Sequence, residues 1–149
     1  MKPLVVLLSA WILALVIQKI TYGTWEYARL GRIAMSVMLI FTALGHFVYS
    51  EGMTMMLPDF VPFKPAIISL TGFIEIAAAV GLLIPRFNVT TAWLLIAFFI
   101  LILPANIYAA AHSIDYQTGS TDGPGLAYLW FRVPLQILFI AWTYLCCLK

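Results

Sequence analysis

Charge is what this chain has least of. Of its 149 residues, 9% are charged: eight Lys or Arg and six Asp or Glu, beside two His. An average soluble domain gives about a quarter of its residues to Asp, Glu, Lys and Arg. So few ionic groups cannot clothe the water-exposed surface of a folded domain. The 64% hydrophobic content excludes a disordered chain. A net charge of +2 is too small to bind nucleic acid by bulk electrostatics. Cysteine is nearly absent. Cys146 and Cys147 are adjacent, which excludes a disulfide scaffold, and two are too few for a zinc ribbon or an iron–sulfur cluster. At a helix end they read as apolar filler or a lipid-attachment site before a redox dithiol. There is no phosphate-binding glycine loop, no nucleophile–base arrangement and no His pair on one helix for haem. No catalytic residue is therefore named, and the sequence leaves open whether the chain is an enzyme or a non-catalytic subunit of one. What remains is an all-α integral membrane protein about one domain long.

A spanning helix needs about 20 mostly apolar residues. Five segments come near that length, from about Pro3 to Ile20, Ile33 to Tyr49, Pro65 to Ile84, Val89 to Ala111 and Tyr128 to Leu148. The runs are too long for membrane strands and do not alternate. Pro65 suits a first helical turn, and Pro85-Arg86 closes the third span into a hairpin with the fourth. The first segment has Lys2 ahead of it but no small-residue cleavage site behind it, so it reads as a retained helix rather than a signal peptide. Residues 1–28 form an N-terminal helix with a basic loop, and residues 29–149 form a four-helix membrane domain. Lys19, Arg29, Arg32, Arg86 and Lys149 fall on one side, against Lys2 and Lys64 on the other. That bias puts the N-terminus outside and the C-terminus in the cytoplasm.

Ionisable groups inside a span are costly unless paired or watered, so they carry the information. Glu75 lies near mid-depth in the third span. His46, Asn106, Arg132 and Gln136 all fall in the outer half, with Arg132 and Gln136 on one face at i,i+4. The expectation is one interior cluster with a buried Glu75–Arg132 salt bridge, direct or through Asn106 or water, and His46 at its outer rim. Two uses stay open: a ligand pocket, or a polar staple holding helices in register. Pro104 and Pro134 should free the carbonyls of Ile100 and Trp130 and kink the same outer half. The Met53–Leu57 loop is Met-rich, which suits a flexible pocket mouth better than a Cu(I) site, and no metal is assigned. Trp25, Tyr27, Tyr49, Tyr128 and Trp130 read as an interfacial aromatic belt.

Several stretches then fit together. They are Gly31-Arg32-Ile33, Gly45-His46-Phe47, Met56-Leu57-Pro58 with Pro62, Thr71-Gly72-Phe73-Ile74-Glu75, Gly81-Leu82-Leu83-Ile84-Pro85, Leu103-Pro104-Ala105-Asn106-Ile107-Tyr108, and Trp130-Phe131-Arg132-Val133-Pro134-Leu135-Gln136 with Ala141-Trp142. In this order the chain resembles the DoxX / DoxX-like family of small bacterial membrane proteins, over about Arg29 to Trp142. The resemblance implies a four-helix core, to which this chain adds an N-terminal helix, and makes Glu75, Asn106, Arg132 and Gln136 signature positions. It also implies association with quinone-linked oxidases or oxidative-stress complexes, and in a distant animal branch with receptor assembly. The outer half here has no Cys pair, which argues against a thiol relay. The expected function is a redox-associated or quinone/small-lipid-binding accessory subunit with an outward-facing polar pocket. Two alternatives remain: an assembly factor binding partner helices, and a small proton-coupled transporter. Expected partners are the lipid bilayer, an oxidoreductase or other membrane protein, or a second copy of the chain, and not nucleic acid.

Overall fold

Every apolar run becomes a helix in the computed structural model, which describes residues 2–23 and 25–149. In chain order these are α1 (Lys2–Tyr22), α2 (Tyr27–Val48), the short α3 (Ser50–Met55), α4 (Lys64–Leu83), α5 (Asn88–Ala111) and α6 (Leu129–Cys147). A single 3-10 turn, Gly125–Tyr128, leads into α6. The molecule is 79% helical, and no strand occurs among the described residues. Five helices are long and apolar enough to cross a membrane.

The ends follow local chemistry. Pro65 sits in the first turn of α4, where its missing N–H costs nothing. Ile84 is extended because Pro85 follows it, and that stops α4. The α4–α5 turn is closed by Phe87 N–H and Asn88 N–H donating to the Ile84 carbonyl at 2.9 and 3.0 Å. α2 begins at Tyr27 rather than Ile33, because Leu30 and Gly31 are buried and continue the packing face outward past two arginines. Gln18, which interrupts the first apolar run, is buried; its Oε1 accepts from Glu26 N–H at 3.1 Å at the entrance to α2. A polar residue in a spanning helix is thus used to fix the α1–α2 corner.

α2 is the central helix. It packs against α1, α4 and α6, while α5 packs against α4 and α6. One buried cluster joins Leu7 of α1 to Met35, Met38 and Leu39 of α2, Ala79 and Leu82 of α4, Leu95 and Phe99 of α5, and Leu135 and Phe139 of α6. α1 therefore shares its core with the other four. Small residues let the backbones close. Gly31 lies directly under the Cys146 side chain, beside an indole bond from Trp142 Nε1 to the Gly31 carbonyl at 3.1 Å. Ser36 Oγ lies 2.9 Å from both the Arg32 and the Ala79 carbonyls, tying α2 to α4. Polar and small-residue contacts of this kind join helices whose outer faces are apolar.

Candidate functional site

α1, α4 and α6 begin at the same end of the bundle at which α2 and α5 finish. There the helices do not fill the space between them. A cavity of about 500 Å3 opens, roofed by α3 and by the loop that follows α5. Gly52 of α3 lies against the backbone of Tyr116, an approach that only a residue without Cβ permits. Tyr49 and Tyr116 meet edge to face, with centroids 6.1 Å apart, and both line the cavity.

His46, Glu75, Asn106, Arg132 and Gln136 all line this one cavity. Their pairing differs from the sequence expectation. No ion pair joins Glu75 to Arg132 among the described residues. Glu75 faces His46 instead, with Oε1 3.6 Å from Nε2. Thr71 and Glu75 stand one turn apart on α4, at i and i+4, and the imidazole is held between them. Its Nδ1 is 3.0 Å from Thr71 Oγ1, and that hydroxyl is 2.7 Å from the Ile68 carbonyl. The reason is Gly72. A Cβ there would stand 3.1 Å from His46 Cβ and 3.1 Å from Phe47 Cζ, so glycine lets α2 come close enough for the ring to reach α4. Glu75 is 5% exposed, and its Oε2 is buried with no hydrogen-bond partner.

The other polar residues form a second group on α5 and α6. Arg132 Nε donates to Asn106 Oδ1 at 3.2 Å, and Asn106 Nδ2 donates to the Ile102 carbonyl at 3.2 Å. Gln136 Nε2 donates to the Phe99 carbonyl at 2.6 Å. The amides thus engage carbonyls on either side of Ile100, at Phe99 and Ile102, both ahead of Pro104, rather than that of Ile100. The Nε bond is the one hydrogen bond the Arg132 side chain makes among the described residues. Its Nη groups make no hydrogen bond among the described residues, and Arg132 lines both this cavity and a small pocket beside it that includes Pro124 and Tyr128.

The remaining lining is apolar, with Met38, Phe41, Leu44, Ile68, Phe98 and Phe139 among its residues. Met53 and Met56 stand in the wall under the roof. Lys2 also lines the cavity and donates to Gln117 Oε1 at 3.4 Å. Six polar lining residues were not singled out from the sequence as site residues: Lys2, Thr42, Tyr49, Thr71, Tyr116 and Gln117. Only Thr71 left a signal, its four-residue spacing from Glu75. Tyr49, read from the sequence as part of an aromatic belt, lines the cavity.

A family model covers residues 35–147, and its description is "Domain of unknown function (DUF8561)". The matched stretch contains every polar residue of the cavity except Lys2. Neither the comparison with curated proteins nor that with solved structures finds a match.

Proposed function

The chain belongs to the DUF8561 family, and from the geometry of its cavity we propose that it is a multi-pass membrane protein that binds a small amphiphile, a quinone or a similar lipid-like molecule, as an accessory subunit of a redox complex. The single observation that carries this reading is the division of the cavity wall. Ligand sites are mostly apolar with a few converging polar groups, and commonly hold about 300–1,000 Å3. This cavity has that size and that division. Its apolar part also reaches the outside of the bundle. Phe41, Leu44 and Val48 lie along one stripe of α2, line the cavity, and are 39%, 57% and 71% exposed. An amphiphile could enter sideways along that stripe, tail first, from lipid. The redox association rests on the DoxX-like sequence pattern, whose signature residues are the polar residues of the cavity.

A second reading, a small proton-coupled transporter, is favoured by one observation. Thr71, His46 and Glu75 form a chain of exchangeable groups inside the cavity. It predicts pH-linked uptake into liposomes. The basic bias of Lys19, Arg29, Arg32, Arg86 and Lys149 supports an orientation with the cavity mouth on the outer face of a bacterial inner membrane. Native mass spectrometry from a mild detergent tests the main reading. The expected spectrum shows the chain with a retained molecule of quinone or lipid mass. Gln136→Leu together with Asn106→Leu should lose that molecule while staying folded. A spectrum of the bare chain, unchanged when amphiphiles are added, would remove the reading.

A further inference from the structure

We propose that the molecule taken by this cavity carries an anionic head group, a carboxylate or phosphate on an apolar tail, seated on the free fork of Arg132. The inference rests on the amphiphile reading above and names the head group that reading leaves open.

The argument is a pairing of charges. Glu75 Oε1 lies 3.6 Å from His46 Nε2, and His46 Nδ1 lies 3.0 Å from Thr71 Oγ1. Glu75, the one acid in the lining among the described residues, is thus set against the imidazole between α2 and α4 and makes no ion pair with Arg132.

That leaves Arg132, on α6, without an acidic partner among the described residues. Arg132 is always charged, and Asn106 offers it a dipole rather than a charge. Lys2 adds a second positive charge toward the mouth. The other titratable groups lining the cavity, Tyr49 and Tyr116, are phenols and carry no charge at neutral pH. Among the described residues, neither Arg132 nor Lys2 has an acid within ion-pair distance. A guanidinium with both Nη groups free matches a carboxylate or phosphate in a bidentate fork. The missing counter-charge is then the ligand's.

Four probes with the purified full chain in neutral detergent test this: oleate, oleyl alcohol with the same tail, decylubiquinone with a neutral head, and acetate with a head and no tail. Oleate should bind at least about tenfold tighter than oleyl alcohol, the factor that one charge-assisted hydrogen bond supplies. Acetate should not displace it. Arg132→Gln should bring oleate down to the alcohol's affinity while leaving the alcohol unchanged. The alcohol's binding shows that the variant is folded. Lys2→Gln, at the mouth, should lower oleate affinity by less and needs no refolding of the interior. Equal binding of oleate and alcohol, or an oleate preference that survives Arg132→Gln, overturns the anionic head group and leaves the amphiphile reading in place. Binding of decylubiquinone but not oleate does the same. Displacement of oleate by acetate overturns the need for a tail. Binding of none of the four overturns both this inference and the function it deepens.

Discussion

A histidine engaged at both ring nitrogens is fixed in orientation, and His46 is engaged by α4, through Thr71 and Glu75. The energetic consequence is specific. Thr71→Val keeps the shape and strands Nδ1, so it should cost about 1–3 kcal/mol, the penalty of an unsatisfied buried polar atom. Glu75→Gln keeps a polar group beside Nε2 and should cost clearly less than Glu75→Ala, which removes it and leaves a void. Thermal unfolding in detergent orders these variants. Thr71→Val as stable as the parent would show that the hydroxyl does not hold the ring. The pairing itself is checked by double-mutant cycles. Glu75→Gln with His46→Gln should deviate from additivity by about 0.5–3 kcal/mol, as residues in contact do. Glu75→Gln with Arg132→Gln shares no hydrogen-bond partner and should add within about 0.5 kcal/mol. The reverse ranking would restore the Glu75–Arg132 link, direct or bridged, that the depth argument expected.

Helices in this bundle approach one another where a side chain is missing. Gly72 brings α2 onto α4 at His46, and Gly31 brings α2 under α6 at Cys146. The two sites predict different outcomes. At Gly31 the obstacle to an added methyl is the Cys146 side chain. Gly31→Ala should therefore lower the melting temperature, Cys146→Ala alone should change it little, and the double variant should recover most of the loss. Melting curves of the four proteins decide this, and failure of the rescue would mean that backbone, not sulfur, sets the α2–α6 distance. At Gly72 the obstacles are His46 Cβ and the Phe47 ring, which form part of the packing between the helices. Gly72→Leu should cost about 1–3 kcal/mol, as overpacking does. It should also reduce ligand retention more than Gly31→Ala at matched stability, because it displaces a cavity residue.

At the scale of the molecule, one end of the bundle is basic and closed, and the other holds the cavity. Arg32 Nη1 donates to the Cys146 carbonyl at 2.9 Å, so an arginine caps the C-terminal end of α6 away from the cavity. The proposed orientation puts the loop after α5 outside. A cysteine introduced at Gln117, which is exposed, should then react with a membrane-impermeant maleimide in intact cells. Reaction only after lysis would invert the topology and turn the cavity toward the cytoplasm. Gly52→Ala should lift that same loop off α3, since the Tyr116 backbone is in the way. Faster proteolysis between Tyr116 and Pro124 would register it.

What the sequence determined by itself was one-dimensional. Twenty-residue apolar runs have one stable form in lipid, a helix, because every backbone N–H and C=O must be satisfied within the segment. The five helices and the common level of His46, Asn106, Arg132 and Gln136 follow from position along those runs, and the prolines at 65 and 85 mark their ends. Azimuth was not legible. Whether Glu75 turns toward α2 or α6 depends on which helices touch, and that depends on small residues acting in three dimensions. Gly72 opened the approach to His46, and Thr71 completed it. Arg132 was thereby left to Asn106. Lys2, Tyr49 and Tyr116 reached the cavity only because α1 joins the core through Leu7 and the loop after α5 folds back over α3. Hydropathy fixes how deep a residue lies, since depth is a property of one helix and its solvent. Partners belong to pairs of helices, and only the packing of the whole bundle chose them.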